Sequence, residues 1–292
     1  MKNIIFVLLI LLLPLPVAAQ TSSADMQTIN LTSVFNAREI GGYITNDGLK
    51  VKRGVLLRTA SLNKISSEDI ARLTKNYNLS VIADLRMSFE AAAKSDPVIE
   101  GVKYVNLRVI DEKLYMRELE KKLAGEKDPF EILKITANSD LINKNLYIDF
   151  LSGEFGKKAY TGFFKELLNL PDGHSLLFHC TQGKDRTGCA AMLILSALGV
   201  SEDIILEDYM LTNIFNADLR EKDRKMLLAR GIKEDELGKY MFLLNSVDKE
   251  FMTNALSWLK ENYGSPVGYI INELGISENE IVKLKSKFLE KK

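Results

Sequence analysis

The chain has 292 residues, and its 39 basic side chains are balanced by 39 acidic ones, so the formal net charge at pH 7 is zero. This balance argues against nucleic-acid binding and against strong electrostatic docking on an anionic membrane, both of which favour an excess of positive charge. With 46% hydrophobic residues, the chain is long enough and apolar enough to build one large domain.

The N-terminus has the three parts of an export signal. A short basic start at 1–3 is followed by the apolar run 4–13 and by small residues at 17–19. The apolar run is too short to span a bilayer. We therefore expect a signal peptide over 1–19 and an exported (periplasmic or secreted) single domain over 20–292, without a stable membrane span. An uncleaved membrane anchor is the alternative.

Turn and capping signals predict the first elements of this domain. Residues 43–58 alternate between apolar and polar around the turn sequence at 46–48, which predicts a β-hairpin. Ser66 followed by Asp69 resembles a capping box. A helix is therefore expected over 67–76.

Apolar runs predict the strands of the core. The segments 81–83 and 104–109 read as buried strands, and strand and helix alternate around a third run at 175–178. This alternation predicts the α/β fold class, with a central, partly parallel sheet flanked by helices. Residues 201–290 have a helical pattern throughout and end in a capped helix over 278–290.

The segment 111–152 differs from its surroundings because it is highly charged and lacks strand signals. Its apolar residues fall at helical spacing, in Leu114, Leu119 and Leu123 and again in Phe130 and Leu133. We interpret it as an inserted helical hairpin that could cover the active site as a lid. The alternative is a surface helix pair packed elsewhere on the domain.

The most informative segment is the loop 179–188, with the sequence HCTQGKDRTG. It follows the apolar strand 175–178 and precedes an apolar helix over 188–198, for which Gly199 is a plausible C-terminal cap. A loop between a strand end and a helix start directs its backbone N–H groups and the positive end of the helix dipole at one point. A phosphate dianion would bind there.

Each side chain of this loop has a chemical reason to be present. Cys180 would be a thiolate nucleophile, which a helix N-terminus and a nearby arginine favour. Arg186 can hold two phosphate oxygens, and Asp185 is the candidate general acid. Thr187 could hydrogen-bond the thiolate, and Lys184 would add a charge at the rim. The residues expected to line the phosphate are Thr181, Gln182, Gly183, Lys184, Thr187 and Gly188.

Three residues outside the phosphate-lining set are also candidates for the site. His179 is expected to have a supporting role, and Asp84 and Arg38 each have two interpretations. His179 is expected to orient the loop through its ring N–H groups. Asp84 could supply the proton instead of Asp185, but a structural carboxylate paired with Arg86 or Arg58 is the favoured interpretation. Arg38 could contact the substrate phosphate or hold the sheet edge through a salt bridge.

The two cysteines, Cys180 and Cys189, are not expected to form a disulfide. Nine helical residues would separate their Cα atoms by roughly 13 Å, whereas a disulfide requires about 7 Å or less. Cys189 therefore reads as a core residue and Cys180 as a free thiol.

Several segments besides the loop carry a resemblance to a known family. They are Asn36-Ala37-Arg38-Glu39-Ile40-Gly41-Gly42, Leu57-Arg58-Thr59-Ala60, Asp84-Leu85-Arg86, Asp208-Tyr209-Met210-Leu211-Thr212-Asn213 and Tyr263-Gly264-Ser265. Together with the Gly183-Lys184-Asp185-Arg186-Thr187-Gly188 run, they resemble the atypical bacterial tyrosine phosphatases, which are cysteine-based. The family pattern has Phe and Asp where this chain has Ala37 and Glu39, departures that concern the shape of the substrate pocket.

The resemblance implies a cysteine-phosphatase-like fold and a substrate class. It implies action on phosphotyrosine, often on phosphoserine and phosphothreonine, and on phosphoinositides, with the Lys184-Asp185 pair associated with lipid phosphates. It places the general acid within the loop, at Asp185. It implies no metal and no cofactor.

The function predicted from the sequence is thus hydrolysis of phosphomonoesters through a phosphocysteine intermediate. The partners would be phosphorylated proteins or phosphoinositides. A catalytically silent module that binds phospho-ligands on the same fold is the alternative, although such modules usually lack the nucleophile or the acid. A rhodanese-like sulfur transferase would not need Arg186 or the neighbouring Asp185.

Overall fold

The apolar run before the cysteine loop is the middle strand of a five-stranded sheet. A computed structural model describes residues 27–139 and 142–291. The strands of the sheet, in the order β1-β3-β6-β4-β5, are β1 (Arg38–Glu39), β3 (Leu56–Thr59), β6 (Ser175–His179), β4 (Leu79–Asp84) and β5 (Lys103–Asn106). Strand β1 is antiparallel to its neighbour, and the other four strands run parallel. A separate pair joins β2 (Lys50–Val51) to β7 (Leu289–Glu290).

Helices cover both faces of this sheet. Before the loop they are α1 (Ser67–Asn76), α2 (Ser88–Ala93), α3 (Glu112–Leu123), α4 (Pro129–Ala137), α5 (Leu146–Ser152) and α6 (Glu154–Asn169). After it they are α7 (Asp185–Leu198), α8 (Glu202–Met210), α9 (Thr212–Phe215), α10 (Ala217–Ala229), α11 (Leu237–Leu243), α12 (Lys249–Tyr263), α13 (Pro266–Asn272) and α14 (Glu278–Phe288). The predicted α/β class, with a mainly parallel sheet between helices, is confirmed.

The two-residue period of the strands divides the core between the two faces. In β6, Leu176 and Phe178 enter the larger core, which contains α7, whereas Leu177 enters a smaller core on the other face. The same alternation occurs in β4, where Ala83 faces the larger core and Ile82 the smaller one. The loop therefore follows a fully buried strand, β6, which packs against one core on each face of the sheet.

Helix α7 is the central helix that the apolar run predicts. Nearly all its side chains are buried, and Gly199 caps it in the left-handed conformation at φ +87°. The helix begins at Asp185, three residues before the predicted start. Both Cys180 and Cys189 are buried free thiols, as expected.

The helix predicted at 67–76 is confirmed, and its cap shows how the start is fixed. The Ser66 hydroxyl accepts a hydrogen bond from the Asp69 amide at 3.1 Å. The Asp69 carboxylate does not return to Ser66 but accepts from the Ser33 hydroxyl at 2.5 Å. Ser33 in turn accepts from the Ser66 amide at 2.8 Å, so a third residue completes the cap.

Three predicted elements differ from the structure. The turn at 46–48 is present and Ile44 pairs with Lys50 across it, but the hairpin is shorter than predicted, because the end of the second arm is β3, which pairs with β1 and β6 in the main sheet. The strand predicted at 104–109 is shorter and largely exposed, because β5 lies at the sheet edge. The helix predicted at 278–290 ends at Phe288, where the chain turns into β7.

The charged segment 111–152 forms α3, α4 and α5, and these helices pack in different places. Phe130 and Leu133 of α4 join a satellite core with Leu227 and Tyr240, whereas Tyr147 of α5 is buried in the main core. The lid interpretation stays a prediction.

The predicted signal peptide at 1–19 lies outside the described residues. Within the part of the chain that the structure describes, no helix combines the length and apolarity needed to cross a membrane.

Candidate active site

The loop between β6 and α7 is held by hydrogen bonds to its outward-facing carbonyl groups. The Asn36 side-chain amide donates to the carbonyl oxygens of Gln182 and Gly183, at 3.2 and 2.8 Å. Arg58 donates from Nη2 to the same Gly183 oxygen at 3.0 Å. Carbonyls fixed on the outside of the loop leave its amides free to converge on an anion at the centre.

Gly183 is required at its position by both conformation and space. Its φ of +65° lies in the left-handed region, and a Cβ would come within 2.2 Å of the Thr59 carbonyl oxygen. The end of β3 therefore presses directly against the loop. No residue with a side chain could occupy this position without moving one of the two segments.

A buried charge network stands behind the loop. Asp208 accepts from Arg58 Nη1 at 2.7 Å, from Arg38 Nε at 3.3 Å and from the Tyr43 hydroxyl at 3.1 Å. Burial lowers the pKa of Arg58 to about 10, and burial alone would raise the pKa of Asp208, but the two arginines hold it below its ordinary value. Both guanidiniums thus remain paired with Asp208 and brace the loop.

Arg38 contributes to this network rather than to the loop interior. Its Nη1 donates to the Asn36 side-chain oxygen, and its Nη2 donates to the Asp208 carbonyl at 3.0 Å. The second interpretation of Arg38, a structural ion pair at the sheet edge, therefore matches the contacts. Arg38 supports Asn36, which supports the loop.

Arg186 has a partner that the sequence did not indicate. Its two terminal nitrogens donate to Glu90 of α2, at 2.5 Å to Oε2 and 3.0 Å to Oε1. The Thr181 hydroxyl donates to Oε1 of the same carboxylate at 2.6 Å. Burial alone would raise the pKa of Glu90, but these donors keep it below its ordinary value, so the carboxylate is ionised.

Cys180 lies at the bottom of the loop and is 2% exposed. The Thr187 hydroxyl, also buried, has no hydrogen-bond partner among residues 27–139 and 142–291. Burial alone would lower the pKa of Arg186, but the nearby negative charges, with that of Cys180 first among them, raise it. The arrangement suits a thiolate at the base, with a guanidinium near it and a hydroxyl available to stabilise it.

Asp185, the candidate acid, begins α7 and is held by two side chains. The Tyr147 hydroxyl donates to Oδ1 at 2.6 Å, and Lys184 Nζ lies 3.5 Å from Oδ2. The Asp185 side chain is 20% exposed, so it can meet both substrate and solvent. This geometry permits proton transfer at the mouth of the loop.

The expectation that Lys184 lies at the rim is wrong. The side chain is 1% exposed, and its ammonium donates to the carbonyls of Phe242 and Ser246, the latter at 3.1 Å. It also lies 4.4 Å from the centroid of the Phe242 ring. Burial lowers the pKa of Lys184, and the charge of Asp185 partly offsets this. The carbonyls of Phe242, in the last turn of α11, and of Ser246, in the loop after it, have no helical donor. They accept hydrogen bonds from the buried Lys184 ammonium instead.

His179 and Asp84 belong to a buried cluster beneath the loop. Arg86 Nη2 lies 2.6 Å from Asp84 and 2.7 Å from Asp96, and the Tyr104 hydroxyl donates to Asp84 at 2.7 Å. Asp84 is fully buried, and although burial raises its pKa, His179 and Arg86 hold the pKa below its ordinary value. The favoured interpretation, a structural carboxylate paired with Arg86, matches these contacts.

The ring of His179 is placed between the loop and this cluster. Its Nδ1 lies 3.1 Å from the Cys180 carbonyl oxygen, and its Nε2 lies 3.1 Å from Asp96 Oδ2. The Nδ1 contact suits the predicted role of orienting the loop, whereas Nε2, although close to Asp96, makes no hydrogen bond to the residues that the structure describes. Asp84, Asp96 and His179 are also residue types that bind metals, but Arg86 already supplies the positive charge to both carboxylates.

One helix of the charged segment reaches the neighbourhood of the site. Burial raises the pKa of Tyr115 of α3, and the carboxylate of Glu90 raises it further. The start of α3 is tied to α2, because the Glu112 carboxylate accepts from the Ser88 amide. Helix α3 thus flanks the site while α4 packs on the satellite core.

Sequence reasoning missed five residues that shape the site. Asn36 and Asp208 occur in the quoted motifs without a predicted role in the site, and Glu90 and Tyr147 carried no signal. Arg58 is predicted only as an alternative partner of Asp84, whereas the structure pairs it with Asp208. The motif residues were recoverable, because buried polar residues in short motifs need partners. Glu90 and Tyr147 come from elements whose approach to the loop depends on the fold.

Comparison with known proteins gives the same family over most of the chain. The sequence model of the tyrosine phosphatase family matches residues 29–290. A protein of Cupriavidus necator whose name assigns it to the tyrosine-protein phosphatases is 27% identical over 271 residues, covering 93% of this chain and 92% of that one. The triple specificity protein phosphatase PtpB of Mycobacterium tuberculosis is 23% identical, covering 90% of this chain and 100% of its own. A tyrosine-protein phosphatase of Nostoc commune is 24% identical, covering 78% and 72%.

Proposed function

Because the chain belongs to the tyrosine phosphatase family, we propose that it is an exported phosphatase that hydrolyses phosphomonoesters through a phosphocysteine intermediate. The observation that carries this proposal is the position of Cys180. It lies at the base of a loop whose carbonyls are bonded outward by Asn36 and Arg58, directly before the buried helix α7. The loop amides, the positive end of the helix dipole and Arg186 would then all bind the same anion.

In the first step, the Cys180 thiolate attacks phosphorus. The sulfur–phosphorus bond forms as the bond from phosphorus to the leaving oxygen breaks, and Asp185 gives that oxygen its proton. Arg186 and the loop amides stabilise the charge on the non-bridging oxygens. The Glu90 carboxylate holds two nitrogens of Arg186, so the guanidinium is oriented before substrate arrives.

In the second step, water attacks the phosphocysteine. Asp185, now a carboxylate, accepts a proton from the water, the sulfur–phosphorus bond breaks, and the thiolate and inorganic phosphate result. The Thr187 hydroxyl, which has no hydrogen-bond partner within the described part of the chain, supports this step because it is free to donate to the departing sulfur. Its position in the same loop as Cys180 is the reason for assigning it this role.

Phosphotyrosine is the proposed preferred substrate. Cys180 is almost entirely buried, and a long aryl ester reaches a recessed nucleophile more easily than the short side chain of phosphoserine does. Phosphoserine, phosphothreonine and phosphoinositides are included as further substrates because the resemblance of the loop motifs implies them. The name of one relative, a triple specificity protein phosphatase, is in keeping with more than one substrate class. Lys184 would contact a lipid phosphate only after leaving the carbonyls of Phe242 and Ser246.

Export rests on the N-terminal sequence. The apolar run and the small residues before position 20 are the features that support it. An exported enzyme would work as residues 20–292, in a periplasm or outside the cell. N-terminal sequencing of the exported protein tests this, and an N-terminus at Met1 in the membrane fraction would contradict it.

The deciding experiment measures phosphate release by residues 20–292, fully reduced, with Cys180→Ser as the background. The substrates are matched phosphotyrosine, phosphoserine and phosphothreonine peptides and a set of phosphoinositides in mixed micelles. Release that depends on Cys180 and is fastest with phosphotyrosine is expected. Binding of the phosphopeptides without release by the reduced protein would instead identify a silent phospho-ligand module.

Lys184→Met separates the lipid proposal from the rest. Methionine keeps the apolar stem of Lys184 but removes its ammonium. If Lys184 serves lipid phosphates, phosphoinositide turnover falls more than phosphotyrosine turnover. An equal loss on both would assign Lys184 to holding the segment 242–246.

A further inference from the structure

A chain of two buried phenols leads from the protein core to the carboxylate of Asp185. The Tyr147 hydroxyl lies 2.6 Å from Asp185 Oδ1 and 2.8 Å from the Tyr209 hydroxyl, which lies 3.3 Å from the Asp248 carbonyl oxygen. Tyr147 and Tyr209 are 0% and 1% exposed. Two hydroxyls in line with a catalytic carboxylate have no role in the two steps of phosphate transfer.

The direction of the hydrogen bonds in this chain is fixed by its chemistry. Burial raises the pKa of both phenols well above its ordinary value, and the charge of Asp185 raises it further, so neither tyrosine ionises. A neutral phenol has one hydrogen to donate, and the Asp185 carboxylate is the strongest acceptor within reach of Tyr147. With its own hydrogen on Asp185, the Tyr147 oxygen is an acceptor for Tyr209, whose single hydrogen lies between this oxygen at 2.8 Å and the Asp248 carbonyl at 3.3 Å.

The ring of Tyr147 is held as firmly as its hydroxyl. It stacks with Phe150 at 5.9 Å between centroids, meets Tyr209 edge-on at 5.9 Å and contacts Phe251 at 5.8 Å. These contacts come from three different helices. These contacts fix the position of the Tyr147 hydroxyl. It cannot move by rotation of the ring or by a shift of α5 alone.

We propose that Tyr147 is a positioning residue for Asp185: its hydroxyl occupies Oδ1 permanently, so that the proton transferred in catalysis is carried on Oδ2. This inference rests on the proposed phosphatase mechanism. It gives Asp185 one orientation in both protonation states, because Oδ1 accepts the same hydrogen bond whether or not Oδ2 is protonated. The acid is thus ready to donate to the leaving oxygen and to receive from water without rearranging.

The other charged and titratable groups around Asp185 leave this role to Tyr147. They are Lys184, which lies 3.5 Å from Oδ2, Arg186, Cys189 of α7 and Tyr209 of α8. Lys184 faces the second carboxylate oxygen, and Tyr209 reaches the carboxylate through Tyr147. Tyr147 is the group that donates to Oδ1.

Tyr147→Phe tests the proposal because it removes the hydroxyl and keeps the ring. Steady-state rates are measured from pH 4 to 9 on an alkyl phosphate, whose leaving group needs an acid, and on an aryl phosphate with a good leaving group. We expect kcat on the alkyl ester to fall about tenfold and kcat on the aryl ester by no more than about twofold. In the double variant with Asp185→Asn, Tyr147→Phe should add nothing, since both act on the same proton.

Tyr269→Phe is the matched control. Its hydroxyl, buried like that of Tyr147, donates to the Leu151 carbonyl of the same helix α5 at 2.7 Å and does not contact the loop. A purely structural contribution of buried phenols to α5 would appear in both variants. We expect Tyr269→Phe to be less stable than the parent but to keep the same ratio of kcat on the alkyl phosphate to kcat on the aryl phosphate.

A readout without turnover decides the inference independently. The side-chain carboxyl of Asp185 is followed by carbon NMR in labelled protein, with Asp185→Asn to assign the signal. At a fixed pH, loss of the hydrogen bond to Oδ1 should change the carboxyl chemical shift of Asp185 in Tyr147→Phe and leave it unchanged in Tyr269→Phe.

Two results would overturn the role of Tyr147. One is an unchanged carboxyl chemical shift of Asp185 in Tyr147→Phe, and the other is an equal loss of rate on both esters. Absence of Cys180-dependent release by the parent protein would instead contradict the proposed function, and the NMR comparison would then decide the hydrogen bond by itself.

Discussion

Glu90 holds Arg186 through both terminal nitrogens of the guanidinium, at 2.5 and 3.0 Å, although the two residues are 96 positions apart in the chain. The carboxylate stands on α2, outside the loop, and also takes the Thr181 hydroxyl. A bidentate pair of this kind fixes the plane of the guanidinium as well as its position. The orientation of the Arg186 guanidinium is thus set by a residue of helix α2, which follows β4.

Glu90→Gln should lower kcat/KM about tenfold on a phosphotyrosine peptide, because the amide keeps one acceptor but loses the charge that orients Arg186. Glu90→Ala should cost more, since it also frees Thr181. The control is Glu166→Gln, whose carboxylate pairs with Lys103 on the surface at 2.7 Å. Equal activity of Glu90→Ala and the parent would remove Glu90 from the site.

Asn36→Asp should weaken the binding of vanadate about tenfold or more, because aspartate offers oxygens where the Gln182 and Gly183 carbonyls need donors. Aspartate has the same shape as asparagine and also tolerates the left-handed conformation found here, φ +52°. Asn30→Asp, at an exposed residue with φ +54°, is the matched control. Vanadate affinity is measured by competition with turnover. An unchanged affinity in Asn36→Asp would show that the loop does not depend on these bonds.

Gly183→Ala should abolish detectable turnover and destabilise the fold. The left-handed conformation alone costs an alanine about 1–2 kcal/mol. Gly173→Ala measures that cost by itself, because Gly173 has φ +75° and a methyl group added there would meet no atom within 4 Å, whereas the Gly183 methyl would meet Thr59. Urea unfolding of both variants gives the comparison. Similar free energies of unfolding would mean that Thr59 yields to the new methyl group.

Asp208→Asn should lower the free energy of unfolding at pH 7 by about 3–5 kcal/mol, because it leaves two buried guanidiniums without their counter-charge. Asp235→Asn, at an exposed position, should change it little. Urea unfolding at several pH values measures both.

In Asp208→Asn we also expect the free energy of unfolding to depend differently on pH. Arg38 and Arg58 hold the pKa of Asp208 below the ordinary value of 3.8. The unfolded chain therefore takes up a proton first as the pH falls, and the stability present above about pH 5 is lost as the pH falls through the folded value. In Asp208→Asn the acid loss of stability should be shallower than in the parent. A parallel decline in both proteins would contradict this assignment.

What the sequence predicts well is what neighbouring residues determine. The loop, the strand before it and the helix after it are contiguous, and their apolar runs and glycines specify them locally. The cap of α1 follows from Ser66 in the same way, although Ser33 completes it from 33 positions away. The nucleophile and the arginine could be named because their spacing is itself the signal.

What the sequence predicts poorly depends on partners that the fold supplies. Lys184 reads as a surface charge until the carbonyls of Phe242 and Ser246 are placed above it. The strand at β5 reads as buried from its side chains, but its position at the sheet edge exposes it. Glu90 belongs to a six-residue helix with nothing unusual in its composition. It pairs with Arg186 only because the fold places this helix next to the loop.

The brace formed by Arg38, Arg58 and Asp208 has a consequence for the order of events during synthesis. Two of its members precede the cysteine loop in the chain, and the third follows it, 170 positions after Arg38. A ribosome makes Cys180 before it makes the carboxylate that pairs the two arginines. The growing chain therefore lacks the counter-charge of Arg38 and Arg58 until α8 has emerged, and under the proposed export a chain threaded unfolded through a channel would form this brace only on the far side.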